Sequence, residues 1–280
     1  GSGTCADCTG GLISVTGADS CSACPAGKYD NNNNVCTACA AGKYIHLTSS
    51  TSCLSCPVGK SSAAGADRCA PCIPGRYAPV AISTSCTSCP AGRFRGAAAS
   101  KCTTCSAGTY ASSAGASTCK TCVAGRFAAA GATGCTTCSK GKFQPNKGRS
   151  ACATCPGGRY SSAAGAASCD RCSAGSYSGV GASGCLSCAA GKYSQAGANS
   201  CGTCVKGKFS AANSGTCTSC SIGKFQAYSA ASACLKCPTG YIAPNTASVA
   251  CIPCKEGYAT GGSVTTCTAC QAGYFAAKPG

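Results

Sequence analysis

The large apolar side chains of this chain are spread along it at a step of 15–17 residues instead of gathering into core-forming runs. Tyr29, Tyr44, Tyr77, Phe94, Tyr110, Phe127, Phe143, Tyr160, Tyr177, Tyr193, Phe209 and Phe225 each stand two residues after a glycine, usually behind a Lys or Arg. Tyr241, Tyr258 and Tyr274 stand one residue earlier, so only two of the 17 aromatics fall outside the pattern. The G-[KR]-[YF] stretch predicts a short extended strand, whose successive side chains point to opposite faces. With the aromatic turned inward onto a disulfide, the preceding cation must face water. On this reading the aromatic position is the core of each repeat. Small-residue loops such as Ser161-Ser162-Ala163-Ala164-Gly165-Ala166 separate the strands.

The cysteines carry the same period. All 34 fall into 17 C-x-x-C pairs, from Cys5/Cys8 to Cys267/Cys270, and a glycine stands three residues after the second cysteine of each pair. A glycine fixed at one point of a repeat suggests a positive φ or a close approach of another backbone. Leu, Ile, Val and Phe together supply only 27 of 280 residues, and Trp and Met are absent. Covalent links must therefore replace a large core. The predicted fold is small, disulfide-rich and mostly irregular with short β-strands. About 17 modules of 15–17 residues form a linear, solenoid-like stack in an elongated rod, each touching only its neighbours. The array runs continuously through 1–280, with a variant first repeat at 1–20, regular repeats at 21–233 and shifted-aromatic repeats at 234–280.

Two pairings fit the spacing. In a sequential ladder the second cysteine of each pair bonds the first of the next: Cys8–Cys21, Cys24–Cys36, Cys39–Cys53, Cys56–Cys69, Cys72–Cys86 and onward to Cys254–Cys267. Each bond encloses 11 to 13 residues and contributes on the order of 3 kcal/mol in the chain-entropy model. The alternative links first to first and second to second across neighbouring pairs, and connectivity does not follow from sequence alone. The ladder leaves Cys5 and Cys270 over as inter-segment cysteines, which leads us to expect flanking repeats of the same protein or self-association through these ends.

Cysteine at this density implies an oxidising, extracellular or cell-surface compartment. The formal charge of +17 reflects scarce acids as much as abundant bases, with 6 Asp and Glu against 23 Lys and Arg. The sequence pI of about 8.9 is low for that charge, which we attribute to thiols ionising at about pH 8.5, so oxidation of the cysteines is expected to move the isoelectric point higher. No run of 18 apolar residues is present, so no membrane insertion is expected in this segment.

The run Cys24-Pro25-Ala26-Gly27-Lys28-Tyr29 through Cys36-Thr37-Ala38-Cys39 resembles the ephrin-receptor-like cysteine-rich repeat. It is also similar to the first loop of a tumour necrosis factor receptor cysteine-rich module. Cys56-Pro57, Cys89-Pro90, Cys155-Pro156 and Cys237-Pro238 repeat the same opening. The resemblance covers essentially the whole chain and implies small irregular β modules stacked end to end in an extracellular region. Loops in those receptors are more acidic and more varied, and the uniform Ala/Gly/Ser loops here favour a structural role.

Other chemistries fit less well. Paired C-x-x-C motifs are also a zinc signature, but zinc sites would consume repeats in twos while the aromatic recurs in every module. Thioredoxin-like chemistry needs a helix start and a βαβ context that the pattern lacks. His46, the single histidine, has almost no carboxylates to work with, and calcium modules need clustered acids. No enzyme activity, cofactor or metal is expected, and no nucleic-acid partner. Lys140, Lys142, Lys147 and Arg149 form the densest basic stretch and are candidates for an acidic glycan. No Asn-x-Ser/Thr sequon occurs, while Thr103, Thr104, Thr136, Thr137, Thr218 and Ser219 are candidates for O-linked sugar or turn capping. The irregular stretches are 30–34, 45–47 and 241–264. The function expected is a structural component of an extracellular filament, appendage or surface stalk. The alternative is a receptor or adhesin ectodomain that binds protein or acidic glycan.

Overall fold

The computed structural model describes residues 7–96, 100–260 and 265–276. These residues hold sixteen two-stranded antiparallel hairpins and no helix. Every strand is two or three residues long and shares its sheet only with its sequence neighbour, while Tyr177 and Tyr193 also make isolated parallel bridges to Ala198 and Ser214. Sixteen disulfides accompany them, each joining the second cysteine of one pair to the first of the next, from Cys8–Cys21 to Cys254–Cys267.

One module shows how all are made. Arg159 N donates to Pro156 O at 3.1 Å, closing a turn whose third residue, Gly158, has φ +79°. That conformation is the one a type II turn demands of its third position. The chain leaves the turn as strand Arg159–Tyr160 and returns as Asp170–Arg171, with Arg159 opposite Arg171 and Tyr160 opposite Asp170. The returning strand is therefore the x-x of the next C-x-x-C. The Cys155–Cys169 bond closes the module with 5.8 Å between its Cα atoms, inside the range an unstrained bridge spans. An isolated hairpin this short is not stable in water, so the disulfide and the adjoining modules must hold it.

Contacts divide the chain into two units, Gly1–Thr136 with Lys147–Ala151, and Thr137–Asn146 with Cys152–Gly280. The division cuts through the Cys138–Cys152 module for a local reason. The loop of each module folds back onto the module before it, so Gly148 N donates to Cys122 O at 2.9 Å and Ala128 N to Arg149 O at 3.2 Å, all within the first unit.

The same three backbone hydrogen bonds join successive modules inside each unit. In the second unit Gly158 N donates to Ser178 O (2.8 Å), Ser161 N to Ala182 O (3.1 Å) and Gly181 N to Cys155 O (2.8 Å). In the first, Gly92 N donates to Ala111 O (2.9 Å), Arg95 N to Ala116 O (3.1 Å) and Gly115 N to Cys89 O (2.8 Å). Backbone bonds of this kind suit a chain of small residues, because they need no side-chain volume.

Contacts also reach past the neighbouring module, which corrects the nearest-neighbour expectation. A Cβ built on Gly158 would lie 2.0 Å from Gly197 O, two modules along, and one on Gly75 would lie 2.0 Å from Gly115 O. The repeat glycine is thus required twice, by its positive φ and by a carbonyl lying against its α-carbon.

The core differs from the one expected of the aromatics. The fully covered side chains are the second cysteine of each pair from Cys24 to Cys254 and the residue three after the repeat glycine, from Asp30 and Ile45 to Ala243 and Thr260. The aromatics themselves, such as Tyr160, Tyr177 and Phe209, are half-buried up to Tyr241, and Tyr258 and Tyr274 are exposed. A two-stranded hairpin has no second sheet to cover its face, so each ring lies across the opposite strand. Tyr193 shows it: a Cβ on Gly202, its cross-strand partner, would meet Cε1 of the ring at 3.0 Å.

The buried position accepts unlike residues because backbone carbonyls lie within its reach, in several modules those of the preceding module. Ser178 Oγ donates to Arg159 O at 3.0 Å, Ser194 Oγ to Ser176 O at 3.0 Å and Ser210 Oγ to Lys192 O at 2.9 Å. Arg95, only 1% exposed, donates to Cys72 O at 3.0 Å, to Ile73 O and to Arg76 O. Each of these side chains meets the kind of partner that burial requires of a polar group.

Candidate functional site

The residues that reach solvent, fully or in part, at a fixed place in the described modules are the first residue of the outgoing strand and its cross-strand partner. The turn at the repeat glycine sets the first, and the C-x-x-C sets the second. In most modules the outgoing residue is a cation and the partner is small or hydroxylic: Lys28 opposite Ala38, Lys192 opposite Thr203 and Lys208 opposite Ser219. In two modules both residues are cations, Arg159 opposite Arg171 and Lys224 opposite Lys236. The last modules shift the aromatic into the cation position, so Tyr241 stands opposite Pro253 and Tyr258 opposite Ala269.

This surface carries little neutralising charge. Among the described residues one ion pair is formed, Arg68 to Asp67 at 3.2 Å, and both side chains are exposed. Arg159 spends one N–H on Cys169 O at 3.0 Å, and Arg171 spends one on Ala196 O at 2.8 Å. The stem of Arg171 lies over Gly197, where a Cβ would meet its Nε at 2.4 Å. Both arginines are exposed.

The disulfide residues singled out from spacing are joined as Cys8–Cys21, Cys24–Cys36, Cys39–Cys53, Cys56–Cys69, Cys72–Cys86 and Cys254–Cys267. Cys270 is a free, partly exposed thiol, and Cys5 lies outside the described residues. Lys140 and Lys142 belong to the second unit, Lys147 and Arg149 to the first, and all four are exposed. Thr103, Thr104, Thr136, Thr137, Thr218 and Ser219 are the exposed returning-strand residues of their hairpins.

The irregular stretches have local explanations where they are described. Asp30 is buried and accepts from Asn32 N at 3.1 Å, while Asn34 Oδ1 accepts from Ser14 N at 2.7 Å and its amide donates to Ser14 O. The asparagine run therefore ties the first described module to the second. Ile45 fills the buried position of its module, and His46 stacks on Tyr44 with ring centroids 6.2 Å apart. Residues 261–264 of the third stretch lie outside the described residues. Among the described residues no three His, Cys, Asp or Glu side chains gather as metal ligands, and no helix is long and apolar enough to cross a membrane.

The facing cation pairs were missed by sequence reasoning. Their signal lies in the second x of C-x-x-C, at Arg171 and Lys236, and becomes readable once that residue is known to oppose the cation after the glycine.

The family described as tyrosine-protein kinase ephrin type A/B receptor-like matches at residues 59–101, 92–129, 125–172 and 207–249, together more than half of the chain. A search of curated proteins finds no match.

Proposed function

The chain belongs to the ephrin type A/B receptor-like family of cysteine-rich repeats, and from that premise we propose that it is a structural component of an extracellular filament, appendage or cell-surface stalk. One observation carries the reading. Every disulfide closes its own module, and two residues separate the bonded cysteines of successive modules. A continuous path of disulfides and C-x-x-C links therefore runs from Cys8 to Cys267. Tension applied along the chain follows that path and bypasses every loop. Covalent continuity under tension does not depend on the loops, which join modules through backbone contacts that Ala, Gly and Ser can make.

Oxidised cysteines at this density persist outside the reducing cytosol, and the family match agrees with an extracellular or cell-surface setting. No catalytic step forms part of this proposal. Immunogold labelling of intact source cells with antibody to the folded repeats tests it. Label concentrated on fibres or surface stalks is expected, and label confined to the cell interior or to diffuse soluble material would refute it.

A second reading, an ectodomain that binds acidic glycan, is favoured by the row of cations at one strand position.

A further inference from the structure

The facing cations of the second unit are hard to explain as a merely solvated surface. Like charges directly opposite on paired strands destabilise a hairpin, and these hairpins are only two residues long on each side. The small-residue solution is available at the same register, since Ser176 stands opposite Ser187 in the module between Cys172 and Cys185. Yet Arg159 faces Arg171 and Lys224 faces Lys236. Directly opposed Cβ atoms on antiparallel strands lie about 4.5–5.5 Å apart, a separation at which one oxyanion can accept from both cations. Bound that way, the repulsion becomes a charge-assisted pair of hydrogen bonds.

Two features prepare the arginine pair for an anion. Each guanidinium is held by one backbone carbonyl, Arg159 by Cys169 O and Arg171 by Ala196 O. That fixes the head groups and leaves the remaining donors of each five-donor fork for a ligand. Asp170, the neighbouring acid, stands opposite Tyr160 at the next register position, whose side chains point to the other face of the hairpin. Between the two pairs, in the same unit, Lys192 and Lys208 occupy the cation position with Thr203 and Ser219 opposite them. Cations and hydroxyl donors thus recur at one strand position, with a double cation at Arg159/Arg171 and again at Lys224/Lys236.

We propose that the Arg159/Arg171 and Lys224/Lys236 pairs are anion sites for the sulfate or carboxylate groups of a linear acidic polysaccharide. A polymer is the ligand that matches a donor set recurring once per module, because its charges recur too. The site differs from the basic stretch at Lys140, Lys142, Lys147 and Arg149, which the division of the chain assigns to two units. The inference rests on the extracellular setting for the choice of polymer, but not on whether the chain builds a fibre or a stalk.

The test uses the oxidised 280-residue chain with immobilised heparin and, separately, polyuronate at about 150 mM salt. The wild type is expected to bind at least one of the two. A variant carrying Arg159→Ser, Arg171→Ser, Lys224→Ser and Lys236→Ser, which copies the native Ser176/Ser187 hairpin, should lose at least tenfold in affinity. The slope of log affinity against log salt should fall by up to about four, in keeping with release of one counterion per lost contact. A control with Lys140→Ser, Lys142→Ser, Lys147→Ser and Arg149→Ser loses the same charge and should stay within about threefold of wild type. Non-reducing peptide maps of both variants must match wild type, and the paired variants Arg159→Ser/Arg171→Ser alone keep the test alive if the quadruple variant misfolds. Equal losses in both quadruple variants would mean bulk charge and overturn the proposal. So would failure of the wild type to bind either polymer, or tighter binding to phosphatidylserine vesicles than to both. None of these results alters where immunogold finds the chain, so the two readings fail separately.

Discussion

The carbonyl oxygen of Gly197 lies against the α-carbon of Gly158, so close that a methyl group on Gly158 would stand 2.0 Å from it. Gly158 begins one module and Gly197 closes the loop of the module two further on, so this contact locks three successive modules together. Gly158→Ala should therefore be severe, because the obstacle is backbone and cannot swing away. We expect a loss of about 4 kcal/mol or more, at the upper end of single-substitution effects. Gly181→Ala provides the contrast: it too has positive φ, but the added methyl would meet only Thr154 Cγ2 at 3.2 Å. Native Ala230 and Ala247 already hold the equivalent loop position with φ of 62° and 59°. Its expected cost is about 1–2 kcal/mol, the left-handed penalty of an L-residue. Local hydrogen exchange in non-reducing buffer separates the two, and equal protection losses would contradict the interlock.

The position after the aromatic sets the fit between modules. Ser178 is 1% exposed and donates to Arg159 O at 3.0 Å. Ser178→Ala should cost about 1 kcal/mol, a net hydrogen bond with no orphaned donor. Ser178→Leu should cost about 3 kcal/mol or more, since overpacking displaces backbone on every side. Exchange rates at Gly158 N and Ser161 N, which bridge these modules, report the change directly.

Tyr160 is half-buried and Arg159 is exposed. Tyr160→Ala should destabilise its module by about 1–2 kcal/mol, roughly half the value of a fully covered side chain. Arg159→Ala should be nearly silent for stability, its one bond to Cys169 O being at the surface. Denaturant titration followed by proteolysis of the 155–169 loop orders the two, and a larger effect from Arg159→Ala would reverse the assignment of faces.

Removing one bridge should loosen one module. Cys172→Ala with Cys185→Ala opens a loop of sequence separation 13 and should cost on the order of 3 kcal/mol. Cleavage under mild protease is expected first within 173–184, with flanking modules still protected by their own bridges. Cleavage spread evenly along the chain would show that the modules do not melt separately.

The disulfide path also sets a length. Pulled taut with bridges intact, a module contributes the 5.8 Å across Cys172–Cys185 plus about 10 Å for three extended Cα steps. That is about 16 Å, against about 55 Å for a reduced module of sixteen residues. Single-molecule stretching in oxidising buffer should stop near the shorter value per module and gain the difference once a reductant is added. Oxidised chains that extend to the longer value would break the mechanical argument.

The module, its period and its staples were legible from residues alone. A G-K-Y strand, a glycine that tolerates positive φ and cysteines three apart act within about sixteen residues, and local chemistry is what a linear pattern records. The pairing of cysteines stayed open between two schemes, and the structure has the sequential one because each hairpin brings its own two ends within 5.5–5.8 Å. Burial was not legible. Reading Tyr160 as core follows from hydrophobicity, yet Ser161 is the residue that disappears from solvent. Its hydroxyl turns to Ala163 O and its N–H to Ala182 O of the next module, while the equivalent Ser178 donates to Arg159 O of the module before, and no side-chain pattern announces either arrangement. The fixed glycine announced a close backbone approach at Gly158, but not that Gly197 supplies it, and Arg159 opposite Arg171 became visible only with the register of the hairpin. Sequence determined the repeating unit and its covalent closure, while tertiary structure decided which residues are covered and which charges confront each other. The physical reason is that module stacking here is made by backbone hydrogen bonds, which all residues but proline offer alike and which, beyond the repeat glycine, leave little mark in the identity of the side chains.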